Sequence, residues 1–151
     1  MIYIIDGHNL IPRIIGLNLD DLDDELALID LLEGHFRRIR KKAVVFFDRG
    51  QPGESAELHR GFVQARFVHP PMIADRAITD YLKSKRGAAK NYMVVSSDRE
   101  VMEAAENLGA RVLTSEKFAQ VIYSRITDPI SEKRKQSDDL DFWLEVFNQE
   151  N

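Results

Sequence analysis

The sequence predicts an α/β domain, a central and mainly parallel sheet with helices packed on both faces. Two observations carry this. Short apolar runs rich in β-branched and aromatic residues, at 2–5, 43–47, 92–95 and 111–113, read as strands. Longer segments with helical apolar spacing lie between them, and this alternation favours parallel strands joined by right-handed crossovers. The length agrees: 151 residues suit one domain, whereas two separate cores would each be cramped.

The elements follow in order. After the opening strand, Leu22, Leu26, Ile29, Phe36 and Ile39 recur at threes, fours and one double turn, which predicts a long helix over 21–42 with Gly34 as an internal weak point. The acidic run at its start, Asp20, Asp21, Asp23, Asp24 and Glu25, reads as a solvated cap favoured by the helix dipole. Arg37, Arg38, Arg40, Lys41 and Lys42 complement the opposite end. A loop carrying Gly50, Pro52 and Gly53 follows the second strand. Val63, Ala65 and Phe67 alternate with Gln64 and Arg66, an additional strand over 62–68 near a sheet edge.

Ala77, Ile78, Tyr81 and Leu82 mark the inward stripe of a helix over 74–85. Ser97-Asp98-Arg99-Glu100 has capping-box spacing before Val101, Ala104, Ala105 and Leu108, and Gly109 supplies the stop. A last helix after Ser115 carries Phe118, Val121 and Ile122. The domain is expected to span 1–127. Residues 128–151 then form a polar linker and a short amphipathic helix with Phe142, Trp143, Val146 and Phe147, whose aromatics gain most by docking on their own domain.

Hydrophobic residues at 44% and charged residues at 30% exclude wholesale disorder. A net charge of −4 excludes a polycation that coats nucleic acid by bulk charge, so any such contact is local. The absence of cysteine excludes disulfides, thiolate zinc sites and a Cys nucleophile. The opening residues lack a basic n-region and a signal-length apolar run, and no stretch is long enough to span a bilayer, so a soluble, cytoplasmic protein without a membrane partner is expected.

Three predicted strands end in an aspartate: Asp6, Asp48 and, just beyond Ser96-Ser97, Asp98. In an open parallel sheet, ligands bind outside the carboxyl ends of the strands, so parallel neighbours would bring these side chains to one crevice, with Asp75 joining from a helix start. Each has a structural role available: a favoured first-turn acid for Asp75 and Asp98, a turn residue for Asp48, an Asx-turn acceptor for Asp6. Their coincidence favours a functional cluster. Gathered carboxylates repel and raise one another's pKa unless a cation intervenes. Oxygen donors without Cys or a paired-His motif suit Mg²⁺ or Mn²⁺, and the chemistry that follows is in-line displacement at phosphorus.

Four fragments in order, Ile4-Ile5-Asp6-Gly7-His8-Asn9-Leu10-Ile11, Val45-Phe46-Phe47-Asp48, Ala74-Asp75-Arg76-Ala77-Ile78 and Val94-Val95-Ser96-Ser97-Asp98-Arg99-Glu100, resemble the NYN family of PIN-like nucleases, in particular its YacP-like branch. That branch includes a ribosome-associated endoribonuclease that cuts messenger RNA. The resemblance implies a PIN-like three-layer α/β/α sandwich and divalent-metal-dependent RNA cleavage. It implies Asp6, Asp75 and Asp98 as the principal metal-site acids, with Asp48 an additional carboxylate of the same site. Asn9 would orient the first acid or contact substrate, Ser96 and Ser97 would line the site, and Glu100 stands where many PIN domains carry a further acid.

Arg49, directly after Asp48, and Lys83, Lys85, Arg86 and Lys90 are the candidate phosphate contacts. Such contacts bind without reading sequence, and single-stranded RNA is the expected partner because an aromatic stacks only an unpaired base. His8, beside the site, is read as a loop histidine bonded to backbone. The leading expectation is an endoribonuclease yielding 5′-phosphate and 3′-hydroxyl ends, with messenger RNA and the ribosome as partners. The alternative is a catalytically inactive PIN-like module that binds RNA or the ribosome. A receiver domain, which also clusters aspartates, fits poorly because Asp6 is followed by Gly7-His8-Asn9 rather than by a second acid.

Overall fold

Ile2–Asp6 (β1) is an apolar run that ends on a charge, and its Ile4 and Ile5 are fully buried. The structure, a computed structural model, describes residues 1–14, 22–49, 53, 56–85 and 87–126. After β1 the chain makes a single helical turn, Gly7–Leu10 (α1), and a 3-10 turn at Ile11–Arg13. Leu22–Ile39 (α2), Ala43–Asp48 (β2), Ala56–Arg60 (β3), Val63–Val68 (β4) and Ala74–Ser84 (α3) follow. Tyr92–Val95 (β5), Arg99–Asn107 (α4), Arg111–Leu113 (β6) and Ser115–Ile126 (α5) complete the described fold.

The six strands form one sheet in the order β3-β4-β2-β1-β5-β6, parallel throughout except for the antiparallel β3–β4 pair. Side chains alternate across this sheet, and the alternation divides the core. Ile5, Val45, Ala65 and Val95 face one way and meet Leu28, Ile29, Leu32 and Phe36 of α2 with Phe118 and Ile122 of α5. Ile4, Val44, Phe46 and Val94 face the other way and meet Ile78 and Leu82 of α3 with Val101 and Ala105 of α4. This is the expected α/β/α sandwich. Among the described residues no helix is long and apolar enough to cross a membrane.

Several local expectations change. The strand at Val63–Val68 does lie next to an edge, but β3, not anticipated, forms that edge. Its residues Ala56–Arg60 are almost all exposed, so no alternation marks it, and a tight turn with Gly61 at φ 54° joins it to β4. α2 stops at Ile39 rather than 42: Arg40 turns left-handed at φ 56°, and the Lys41 N–H bonds the Phe36 carbonyl at 3.1 Å. Ser97 does not cap α4. The cap is Asp98, whose Oδ1 accepts from the N–H groups of Glu100 at 2.9 Å and Val101 at 3.4 Å. The stop at Gly109 holds, with φ 95° and the Ala110 N–H returning to the Ala105 carbonyl. The expected linker and tail over 128–151, and Arg86, lie outside the described residues.

Candidate active site

The carboxyl ends of β2, β1 and β5 are neighbours, and the register sets the heights of their acids. Asp6 pairs with Phe46, and Ile5 pairs with both Val45 and Val95. Asp48 therefore stands two residues, roughly 7 Å, beyond Asp6 on one side, and Asp98 lies as far along the chain past Ser96 on the other. Asp6 and Asp48 share the sheet face of Ile4, Val44 and Phe46, which is the face α3 covers. Asp75 sits in the first turn of α3 and so joins them from above.

Asp48 fixes that approach. Its Oδ1 accepts the Ala74 N–H at 2.6 Å, satisfying an otherwise orphaned donor at the start of α3 and tethering the helix that carries Asp75 to the end of β2. Asp6 lies at the floor, only 6% exposed. Its Oδ2 accepts from the Ser96 hydroxyl at 3.2 Å, and that oxygen accepts the Asp98 N–H at 3.1 Å, so Ser96 links the two acids.

Electrostatics ties the set together. Burial first, then the Asp75 carboxylate, pushes the Asp6 pKa up to about 6; the Ser96 hydroxyl and the nearby Asn9 N–H hold it down in part, and Asp48 adds to the rise. Asp75 is raised by burial, then by Asp98, Asp48 and Glu100. Asp6 and Asp75 are thus disfavoured as anions, first by burial and then by their neighbours. Beside them a cleft of about 420 Å³ opens between α3 and α4, lined by Ile73, Asp75, Thr79, Glu100 and Val101. A second cleft of about 380 Å³, on the other side of α3 by Arg66, Met72 and Tyr81, contains none of the four aspartates.

An all-oxygen donor set in which Asp6 and Asp75 are held above the usual carboxylate range fits a hard divalent cation. The acids surround the crevice without forming a closed cage: among the described residues no three Asp, Glu or His side chains stand close enough to hold one ion.

The remaining predicted residues divide. Asn9 is a clamp, its Oδ1 accepting the Ser97 N–H at 2.7 Å and the Ser115 hydroxyl at 2.6 Å, which locks the turn after β1 to β5 and α5. Ser97 turns its hydroxyl toward Glu116 and accepts the Ser115 N–H at 3.0 Å. Lys83 and Lys85 lie at the far end of α3, eight and ten residues beyond Asp75 and so about 12–15 Å along the helix axis. The Lys85 Nζ sits 4.9 Å from the centre of the Tyr81 ring.

Arg49 does lie at the carboxyl edge, but it is already engaged. Its NH1 donates at 2.7 Å to Glu25, a residue expected in solvent yet only 4% exposed. The other Glu25 oxygen meets His8 Nε2 at 2.5 Å, so His8 is bonded to a carboxylate rather than to backbone. The reason is helical phase. Glu25 precedes the buried Leu28, Ile29 and Leu32 by three, four and seven residues and continues their stripe, a signal present in the sequence and masked by its acidic neighbours.

Crystal structures of Rae1 (YacP) from Bacillus subtilis are similar. One superposes with a TM-score of 0.66 at 19% identity, over 99% of this chain and 91% of that one. Its W164L mutant gives 0.65 at 21%, over 93% and 87%. At these identities the likeness speaks to the fold. No curated protein matches the chain significantly. The model of the YacP-like NYN domain matches residues 3–145, nearly the whole sequence, and the chain therefore belongs to the YacP-like NYN family.

Proposed function

We propose that this protein is a divalent-metal-dependent endoribonuclease that hydrolyses phosphodiester bonds in single-stranded RNA, acting in the cytoplasm on messenger RNA in association with the ribosome. The observation that carries the reading is the gathering of Asp6, Asp48, Asp75 and Asp98 at adjoining strand and helix ends, where Asp75 and Asp48 raise the pKa of Asp6, and Asp98 and Asp48 raise that of Asp75. Membership of a nuclease-type family supports RNA chemistry at that crevice.

Asp6, Asp48, Asp75 and Asp98 are the residues that would supply oxygens to Mg²⁺ or Mn²⁺, one or two of them directly and the others through the waters such an ion keeps. Such an ion, when bound, polarises a phosphoryl oxygen and lowers the pKa of water. The chain's own groups have separate tasks. The Ser96 hydroxyl orients the Asp6 carboxylate, and the bond from Asp48 to the Ala74 N–H keeps Asp75 facing the crevice. Arg49, at the same edge, offers guanidinium N–H groups to a backbone phosphate. Hydrolysis joins a water oxygen to phosphorus and breaks the bond to O3′, which leaves as a 3′-hydroxyl, with the phosphate on the 5′ end.

The test is cleavage of single-stranded RNA by purified protein with Mg²⁺ or Mn²⁺, its loss in EDTA, and its abolition by Asp6→Asn and Asp75→Asn in proteins that still fold. Cleavage by both variants at a rate comparable to the wild type ends the reading. One observation favours a non-catalytic RNA- or ribosome-binding module: Asp48 and Asp98 already accept backbone N–H groups. That alternative requires tight RNA or ribosome association unchanged by EDTA and by Asp6→Asn.

A further inference from the structure

The carboxyl edge of the sheet has a second flank, on the face opposite Asp75. β2 leaves the sheet through Asp48, directed toward α3, and Arg49, directed toward α2. β1 leaves through Asp6 and then Gly7-His8, with His8 also turned toward α2. Glu25, on the first turns of α2, joins the two exits: Oε1 accepts from Arg49 and Oε2 from His8. The aromatic floor closes a ring of contacts. The His8 ring lies 5.4 Å from Phe47, Phe47 stacks on Phe67 at 5.5 Å, and the Arg49 guanidinium sits 4.2 Å from the centre of Phe67.

Every member of the ring is thereby held on two sides. Gly7 belongs to this fit, since a Cβ there would come within 2.6 Å of Phe47 Cδ1 and 2.9 Å of the Phe46 carbonyl oxygen. A surface arginine ordinarily samples many rotamers, and immobilising it costs entropy at each contact it makes. Here the immobilisation precedes any substrate. Among the described residues Glu25 meets the guanidinium through NH1, and the Arg49 side chain keeps 29% of its surface exposed. A neutral imidazole that donates Nε2–H to Glu25 likewise leaves Nδ1 as an acceptor.

We infer that Glu25 is a positioning residue of the proposed nuclease, which locks Arg49 and His8 in one fixed orientation at the carboxyl edge they share with the aspartates, so that the exposed part of Arg49 meets the phosphate undergoing cleavage. The inference rests on the nuclease reading. It differs from a merely structural role, which would affect stability alone, and from an electrostatic brake, in which Glu25 only cancels the charge of Arg49. Removing a brake tightens RNA binding without slowing cleavage. Removing a positioning contact slows the chemical step, because the contact is worth most in the transition state.

The experiment measures single-turnover cleavage of a labelled single-stranded RNA at saturating protein, with Mg²⁺, beside RNA affinity in EDTA by fluorescence anisotropy. Glu25→Gln keeps the shape of the side chain but can accept from only one of its two partners as before, and it serves if Glu25→Ala fails to fold. Loss of one charge-assisted contact predicts a cleavage rate about tenfold lower or worse, with affinity unchanged or tighter. Arg49→Ala should match it, and Glu25→Gln/Arg49→Ala should be no slower than Arg49→Ala alone. In NMR spectra the guanidinium NH resonances of Arg49 should be separate in the wild type and merge in Glu25→Gln. A wild-type rate in Glu25→Gln, tighter binding at an unchanged rate, or losses that multiply in the double variant each overturn the positioning role while leaving the nuclease reading intact. Wild-type protein that fails to cleave overturns the nuclease reading and this role with it, whatever the NMR spectrum shows.

Discussion

Replacing Asp6 with Asn should stabilise the protein, by an amount that depends on pH. The ordinary carboxylate value of 3.8 applies to the unfolded chain, and burial with Asp75 and Asp48 nearby raises it to about 6 in the fold. The folded state binds this proton more tightly, so the associated stability is fully present below the unfolded value and is lost as pH rises through about 6. Two pK units at about 1.4 kcal/mol each give a penalty of about 3 kcal/mol on the ionised wild type above that range. An amide carries no such penalty, and its oxygen can still accept the Ser96 hydroxyl. Urea unfolding in EDTA should therefore show Asp6→Asn about 3 kcal/mol more stable than wild type near pH 7.5, with the gap nearly closed near pH 3.5. Mg²⁺ should narrow the gap at pH 7.5 by stabilising the wild type selectively. An equal difference at both pH values, or a less stable variant at pH 7.5, refutes the claim that Asp6 is held as a disfavoured anion.

Gly7→Ala forces a Cβ against the Phe47 ring and the Phe46 carbonyl, and should cost about 1–3 kcal/mol, read as a lower thermal midpoint; an unchanged midpoint contradicts the close approach. Asn9→Ala leaves the Ser97 N–H and the Ser115 hydroxyl without their acceptor, a loss of about 1–3 kcal/mol in denaturant unfolding, whereas Asn9→Asp should retain most of the stability. Asp98 separates cap from chemistry: Asp98→Asn preserves a good N-cap and wild-type stability, Asp98→Ala loses about 1 kcal/mol, and both should abolish RNA cleavage. An active Asp98→Asn protein removes Asp98 from the proposed metal site.

The strand-end acids are legible in the sequence because β1, β2 and β5 are short, apolar and fully in register, so that Asp6, Asp48 and Asp98 follow their last buried residues. Asp75 is legible as a first-turn acid before the Ile78 and Leu82 stripe. What Asp48 holds is not legible, because its bond to the Ala74 N–H spans 26 residues and depends on where β4 returns the chain. Glu25 is hidden differently. Five acids in six positions look uniformly solvated, and only the phase of α2 distinguishes the one that turns inward. β3 escapes notice because an edge strand that pairs on one side needs no apolar face.

The central place of β1 bears on how the molecule is made. β1 is synthesised before both its partners: β2 must arrive to flank it on one side and β5 on the other. Even then the turn after β1 is not secured until Ser115 emerges to bond Asn9. A growing chain that displays Asp6 thus has no finished crevice until Ser115 has been translated.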